Sequence, residues 1–231
     1  MDSDRGYPLG RAAFLGTLAA GVAGIAITSR FSGAVTDAMN GVANAIPVVN
    51  QIAPTSGWRI YAVDPPMPTY DASTYRLKIG GRVGKPVELS LADLAAMPTV
   101  EQVSDFHCVT GWTVNQVRWR GVRPQTLIEL VQPAAGIRQV TFKSLEGPYV
   151  DGLKPAQLVL PDTLIATHMD GVPLTRAHGA PVRLVIPAMY GYKSVKWVNH
   201  IELGRIADFG YWEQNGYDKD AWIGRSNGFG V

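Results

Sequence analysis

The chain of 231 residues contains a single cysteine, Cys108, and this limits how its fold can be held together. A lone thiol forms no disulfide within the chain, and structural zinc sites, iron–sulfur clusters and c-type haems usually draw on several cysteines. Three roles remain for the thiol: a buried inert side chain, a nucleophile, or one ligand to a soft metal centre whose other ligands come from an organic cofactor.

The residues around Cys108 favour a functional role over inert burial. An apolar run with polar interruptions covers residues 100–106, and Gly111 follows the cysteine closely. This pattern predicts a strand that ends at the thiol and enters a loop, where functional groups concentrate.

The overall composition predicts a folded protein that does not bind nucleic acid. Hydrophobic residues make up 46% of the chain and charged residues 17%, as in an ordinary globular protein with one sizeable core or two small ones. The net charge is only +2, and no Lys/Arg run is interleaved with aromatic residues. A phosphate backbone would require such a basic face.

The N-terminal region predicts export or membrane attachment. Residues 12–29 carry no charge and lie between Arg11 and Arg30. A membrane span needs roughly 20 apolar residues, so this segment is marginal for spanning and long enough for an export signal. The lead-in at residues 10–15 resembles a twin-arginine signal, but Ala12 stands where the second arginine belongs, so a Sec signal, an uncleaved anchor or a buried core helix are the alternatives.

The chain divides into three predicted parts. Residues 1–34 are an export signal or membrane anchor that places the compact domain outside the bacterial cytoplasm, residues 35–57 are a linker, and residues 58–231 are that compact domain. Short strands mixed with few short helices predict an α+β fold rather than a regular parallel α/β sheet. Strands are expected at 75–79, 139–143, 182–186 and 195–203, a helix at 91–96 capped by Ser90, a helix at 124–131 that begins at Pro124, and an exposed turn at Trp119-Arg120-Gly121.

A second group of functional candidates is a locally basic segment between Arg176 and Arg205, in which Glu202 is the only acid. A guanidinium fork, lysine ammonium groups, a serine hydroxyl and backbone amides freed by glycine can hold a phosphate or a polar heterocycle. A solvated surface with ordinary ion pairs is the alternative. The cations are Arg176, Arg183, Lys193, Lys196 and Arg205.

Four motifs from these two regions carry a family resemblance. They are Phe106-His107-Cys108-Val109-Thr110-Gly111-Trp112, Trp119-Arg120-Gly121-Val122, His178-Gly179-Ala180-Pro181-Val182-Arg183-Leu184-Val185-Ile186-Pro187 and Tyr190-Gly191-Tyr192-Lys193-Ser194-Val195-Lys196-Trp197. In this order the chain resembles the molybdopterin-binding domain of the sulfite oxidase superfamily, over residues 63–217.

The resemblance implies a cofactor of one molybdenum and one molybdopterin. Cys108 falls on the position of the protein ligand to the metal, which also makes it the catalytic cysteine. A soft thiolate would complete a sulfur-rich coordination sphere, and the cofactor would carry the redox chemistry. The residues that fall on cofactor-contact positions are His107, Cys108, Ser144, His178, Arg183, Ser194, Val195 and Lys196.

The resemblance also implies an oxidoreductase with a separate electron carrier, such as a membrane haem or quinone-linked protein. The chain looks closest to the small bacterial branch that includes periplasmic methionine sulfoxide reductases, although Thr110 stands where that branch has an acid. No cation adjoins Cys108 in sequence except an imidazolium at His107, which favours a small S-oxide or N-oxide substrate over sulfite. Tyr217 is a candidate for the substrate pocket.

Two other functions stay open from the residues alone. One is a cofactor-free cysteine enzyme in which His107 or His168 assists Cys108 as nucleophile. An extended backbone would place neighbouring side chains on opposite faces, which disfavours His107 in that role. The other is a redox-inactive domain that keeps the fold for binding.

Overall fold

The computed structural model describes residues 57–225, which form two five-stranded sheets with short helices between them. The predicted signal or anchor at residues 1–34 and almost all of the predicted linker lie outside the described residues. None of the helices described within residues 57–225 has the length and hydrophobicity of a membrane span. The mixed sheets and few helices confirm the predicted α+β class.

The first sheet has the strand order β2-β1-β10-β5-β6. Its strands β1 and β10 pair in parallel, with Ile79 opposite Ile201, and the other neighbours are antiparallel. A parallel pair needs a long crossover, and here most of the domain lies between the two strands. The strands are β1 (Leu77–Gly81), β2 (Val87–Leu89), β5 (Gln139–Ser144), β6 (Val150–Leu153) and β10 (Val198–Gly204).

The second sheet is antiparallel and has the order β3-β4-β7-β8, with β9 pairing β7. Strands β3 and β4 form the hairpin that carries Cys108 at its turn. The strands are β3 (Val100–His107), β4 (Thr113–Val122), β7 (Leu164–Met169), β8 (Val172–Pro173) and β9 (Arg183–Val185).

Within residues 57–225, three short α-helices connect the strands, and local signals fix two of them. Helix α1 (Leu91–Ala96) begins with a capping box in which Ser90 and Asp93 bond reciprocally to each other's backbone N–H, as predicted. Helix α2 (Pro124–Leu130) begins at the predicted proline. The third is α3 (Pro155–Leu158), and single 3₁₀ turns occur at Arg176–His178, Gly191–Lys193 and Glu213–Asn215.

The expected exposed turn at Trp119-Arg120-Gly121 is wrong, because these residues lie inside strand β4. Trp119 is completely buried in the smaller of two apolar clusters, with Leu164 and Val185 among its neighbours. A Cβ atom added to Gly121 would lie 2.1 Å from the carbonyl oxygen of Ile165. The glycine is therefore required by the close approach of strands β4 and β7, and not by a turn.

Candidate active site

The turn between β3 and β4 presents the thiol of Cys108. The Cys108 N–H donates to the Trp112 carbonyl at 2.9 Å, and the Gly111 N–H donates to the Cys108 carbonyl at 3.0 Å. Gly111 has a φ of 92°, a left-handed conformation that glycine adopts readily. The predicted position at the end of a strand is confirmed.

The immediate surroundings of the sulfur contain a hydroxyl and no imidazole partner. Sγ of Cys108 lies 3.1 Å from Oγ1 of Thr110, whereas Nδ1 of His107 lies 3.0 Å from Oγ1 of Thr113. Burial raises the pKa of the Cys108 thiol, while the bond to Thr110 and the positive charge of Arg59 oppose that rise. His168 pairs with the neighbouring Thr167, so neither histidine proposed as a base contacts the thiol.

Cys108 opens into a cavity of about 850 Å³, its open mouth included. The walls come from the first described residues, the Cys108 turn, the β5–β6 turn, the loops on either side of β9, and the C-terminal segment. The lining residues are Trp58, Arg59, Ile60, Tyr61, Val63, Phe106, Cys108, Val109, Thr110, Trp112, Glu146, Tyr149, Ala177, His178, Arg183, Gly191, Tyr192, Ser194, Lys196, Trp212 and Tyr217.

Arg183, on β9, places a buried cation at the cavity. Its guanidinium donates to the carbonyls of His178 (3.1 Å) and Ser194 (3.2 Å). It also lies over the rings of Trp119 and Phe106, at 5.0 and 5.4 Å from their centroids. Burial lowers the pKa of Arg183 to about 10, so the group stays charged at neutral pH and can receive an anion.

Lys196 provides a second cation on the same wall. Its Nζ donates to the Tyr61 carbonyl at 2.5 Å and lies 4.0 Å from the centroid of the Trp197 ring. Burial lowers the pKa of Lys196 to about 7; Arg183 lowers it further and the carboxylate of Glu146 opposes the shift. The backbone brings Lys196 close to Gly179, where an added Cβ would lie 2.9 Å from the Lys196 Cβ.

Glu146 holds the backbone of Val63 and Asp64, near the start of the described residues, at the cavity. Its Oε1 accepts the backbone N–H of Val63 and that of Asp64, the latter at 3.1 Å. Burial raises the pKa of Glu146. Ser144 Oγ in turn accepts the Glu146 N–H at 3.0 Å, so this predicted contact residue holds the turn behind the wall.

His178 contributes a polar atom that has no partner within the described residues. Its Nδ1 is buried without a hydrogen bond, and its ring lies 4.9 Å from that of Trp58. Burial lowers the pKa of His178 to about 4, with further lowering by Arg183 and Lys196. The imidazole is therefore neutral at pH 7 and available to a polar ligand in the cavity.

The structure brings five of the predicted site residues together at the cavity: Cys108, His178, Arg183, Ser194 and Lys196. The other three lie outside its lining. The backbone of Val195 is bonded to Lys193 and Leu184, and the side chains of His107 and Ser144 have the partners given above. A cofactor contact for these three remains a prediction, and Arg118 and Arg120 are also outside the lining, whereas Tyr217 is part of it.

The basic segment does not act as one patch, because Lys193 is neutralised. Its ammonium is completely buried and ion-paired with Asp151 and Glu213. Arg205 is exposed beyond the end of β10. Only Arg183 and Lys196, among the five cations of the segment, line the cavity.

Sequence reasoning missed the cavity residues that no motif marks, chiefly Arg59, Tyr61 and Glu146. Trp58 was noted only as the start of the compact part. These residues come to the cavity through contacts between distant parts of the chain, for which a single sequence carries no local signal.

Comparison with known proteins identifies the domain. Residues 64–212 match the family described as oxidoreductase molybdopterin binding domain. The chain belongs to this family. It is therefore an oxidoreductase of the sulfite oxidase superfamily, and its cofactor is molybdenum bound to molybdopterin.

Relatives and a solved structure agree with this membership. An uncharacterised oxidoreductase of Bacillus subtilis, YuiH, is 35% identical over 158 residues, which cover 66% of this chain and 77% of that protein. The catalytic subunit of the protein-methionine-sulfoxide reductase MsrP of Campylobacter jejuni is 31% identical over 160 residues, 62% of this chain and 54% of that protein. In fold, the chain resembles the sulfane dehydrogenase SoxCD from Paracoccus pantotrophus, with a TM-score of 0.56, 21% identity, and coverage of 61% of this chain and 41% of that one.

The cavity fits such a cofactor on its own chemistry. The described residues contain no cluster of three or more His, Cys, Asp and Glu side chains able to hold a metal ion. Cys108 supplies one soft ligand, and an organic dithiolene would supply the rest. Arg183 and Lys196 offer charge to a phosphate, and the unpartnered Nδ1 of His178 offers a hydrogen bond to a polar ring.

Proposed function

We propose that the protein reduces a small, neutral S-oxide or N-oxide with electrons from a separate carrier. The observation that supports this proposal is the wall around Cys108, which consists largely of the rings of Trp58, Tyr61, Phe106, Trp112 and Tyr217. Such a wall gains from apolar contact with a neutral substrate, whereas a dianion such as sulfite would lose its hydration there.

Arg59 supplies the polar anchor for the substrate. Arg59 lines the cavity, and its positive charge opposes the rise in the pKa of the Cys108 thiol. The sequence around Cys108 does not predict this role. If Arg183 and Lys196 neutralise the cofactor phosphate, one guanidinium is left for the substrate. A single donor group suits the oxygen of a neutral oxide, while a dianion would need further positive charge.

The chain's residues would bind and orient both cofactor and substrate. Cys108 would ligate the metal, Arg183 and Lys196 would hold the phosphate, and Ser194 and His178 would give polar contacts. The cofactor supplies the two-electron redox chemistry when bound. In the overall reaction the oxide takes up two electrons and two protons and yields the reduced compound and water.

The electron carrier would be a separate protein, such as a membrane haem or quinone-linked protein. Support comes from relatives named as subunits: the catalytic subunit in Campylobacter jejuni, and a putative methionine-sulfoxide reductase subunit of Azospira oryzae that is 32% identical over 156 residues. The charge-free residues 12–29 support export, or anchoring with the catalytic domain outside the cytoplasm. Fractionation of cells that express the full chain tests this; a cytoplasmic, soluble full-length protein would reject it.

Steady-state assays on molybdenum-loaded protein test the substrate class. With a reduced dye as donor, we expect kcat/KM for a dialkyl sulfoxide to exceed that for sulfite oxidation with an oxidised acceptor. A larger kcat/KM for sulfite than for every oxide tested would overturn the proposal.

Arg59 allows a sharper test of the same proposal. Arg59→Gln should raise KM for the oxide by about tenfold, as expected for the loss of one charged hydrogen bond. Arg118→Gln is the matched control, because Arg118 is exposed and lies outside the cavity lining. Equal KM values in the two variants would remove Arg59 from the substrate site.

A further inference from the structure

A buried ionic cluster lies behind the cavity and takes no direct part in it. Lys193 is completely buried, and its Nζ donates to Asp151 Oδ1, to Glu213 Oε1 and to the Gly152 carbonyl, the last at 2.9 Å. Asp151 belongs to β6 and Glu213 to the 3₁₀ turn near the C-terminus. One ammonium therefore joins three separate segments of the chain.

Two residues of the cluster, Lys193 and Glu213, adjoin residues that line the cavity. Lys193 stands between Tyr192 and Ser194, and Glu213 directly follows Trp212. The rings of Trp212 and Tyr217 lie 5.2 Å apart, and those of Tyr192 and Tyr217 lie 5.4 Å apart. Residues 210–217, which we call the C-terminal wall, thus contact the loop at residues 191–196 through the Tyr192 and Tyr217 rings as well as through the Lys193–Glu213 ion pair.

Backbone contacts dock the C-terminal wall on β6 beside the cluster. The Tyr211 N–H donates to the Val150 carbonyl of β6 at 2.7 Å, and within the wall the Gly210 N–H donates to Glu213 Oε2 at 2.9 Å. Gly210 packs so closely that an added Cβ would lie 2.9 Å from Asp151 Oδ1 and 3.0 Å from the Val150 carbonyl. The position of the wall depends on this close approach as well as on the charges.

We propose that Lys193 is a positioning residue that, through Asp151 and Glu213, fixes the C-terminal wall against the loop at residues 191–196 and so sets the width of the substrate pocket. Three ionisable groups removed from water hold their geometry only while all partners are present. A bulky substrate contacts the aromatic rings of a wall fixed in this way, whereas a small substrate makes few contacts with them. The cluster therefore selects among substrates of the proposed class without touching the reacting atoms, and its kinetic test rests on the proposed function.

Two variants test the proposal by different routes. Glu213→Gln keeps an acceptor for Gly210 and removes one charge, and Gly210→Ala keeps every charge and displaces the wall sterically. Removing Lys193 itself would leave two buried carboxylates unpaired and endanger folding. Lys154→Met is the matched control, since Lys154 forms an exposed ion pair with Asp220, at 2.8 Å, that also joins the end of β6 to the C-terminal region.

The kinetic experiment compares a bulky and a small substrate on cofactor-loaded protein. In Glu213→Gln and Gly210→Ala we expect KM for an aryl sulfoxide to rise about tenfold. The kcat for both substrates and KM for dimethyl sulfoxide should stay within about twofold of the native values, because binding is weakened and the chemical step is not. Lys154→Met should leave all four constants unchanged. An unchanged KM for the aryl sulfoxide would overturn the proposal, whether or not kcat or the molybdenum content falls.

Hydrogen exchange gives a readout that does not depend on the substrate. The amides of residues 210–217 should exchange faster in Glu213→Gln and Gly210→Ala than in the native protein and in Lys154→Met. Unchanged exchange in both variants would overturn the positioning role whatever the kinetics. If the native protein reduces no oxide but exchange accelerates as expected, the proposed function fails while the positioning of the wall stands.

Discussion

Cys108 reaches the cavity from a tight turn, and its sulfur is the soft ligand that the chain offers there. Cys108→Ser is nearly isosteric but replaces sulfur by a harder oxygen. We therefore expect the variant to fold normally, to lose turnover below detection and to show an altered molybdenum EPR signal. Thr110→Val, which removes the hydroxyl 3.1 Å from the sulfur but no ligand, should keep its metal; native turnover in Cys108→Ser would contradict the assignment.

Arg183 and Lys196 should decide whether the cofactor stays bound. Removal of either leaves a phosphate partly unpaired in a site shielded from water, at a cost of about 2–5 kcal/mol. Arg183→Ala and Lys196→Ala should accumulate as apo-protein, which the pterin content of purified samples measures. Lys143→Ala is the control, because that lysine is 45% exposed and pairs with Glu202 on the sheet. Stoichiometric pterin in the double alanine variant would show that these cations serve another ligand.

The lowered pKa of Lys196, about 7 before any anion binds, makes cofactor retention depend on pH. A bound phosphate favours the charged lysine and raises its pKa. Above pH 7, Lys196 must therefore take up a proton when the phosphate binds. The affinity for the cofactor falls as the pH rises towards the raised pKa of Lys196. We expect more pterin to be lost on dialysis at about pH 9 than at about pH 7, and Lys196→Met to flatten this difference; equal loss from the native protein at both values would contradict the linkage.

Among the elements, helix α1 depends on its capping box. Ser90 Oγ accepts the Asp93 N–H at 3.1 Å, and Asp93 Oδ2 accepts the Ser90 N–H at 2.8 Å. Ser90→Ala should lower the free energy of unfolding by about 1 kcal/mol without changing activity, because α1 lies outside the cavity lining. Urea unfolding measures the loss, and an unchanged midpoint would show that tertiary packing alone holds the helix.

The elements that sequence reasoning predicted well are those with local chemical signals. Ser90 with Asp93, and Pro124, mark helix starts through groups a few residues away. Residues 119–121 of strand β4 were predicted to form an exposed turn because glycine is common in turns. The glycine at position 121 is instead required by the Ile165 carbonyl on a neighbouring strand. A close approach between strands leaves no trace in the residues next to the glycine.

The candidate site follows the same division. The thiol turn and the arginine of β9 belong to motifs that a reader can recognise, and the structure brings them to one cavity. Lys193 was grouped with the anion-binding cations because its partners, Asp151 and Glu213, lie 42 and 20 residues away in sequence. Arg59 and Glu146 carry no motif, so only the folded chain reveals them.

For the whole molecule, we expect about one molybdenum and one pterin per chain. The family match extends over residues 64–212, and one thiolate in one cavity provides for a single metal. Metal analysis of purified full-length protein measures the ratio, with Cys108→Ser as the comparison. Active protein that contains no molybdenum would contradict this expected ratio.

The cavity is built from both ends of the described chain, since Trp58 and Tyr217 both line it. Contacts between residues so far apart in sequence form late, because the loop between them must close first. During synthesis, the pocket is incomplete until residues 210–217 have left the ribosome and docked on β6. Binding of a bulky substrate against the C-terminal wall is therefore expected only after translation has passed residue 217.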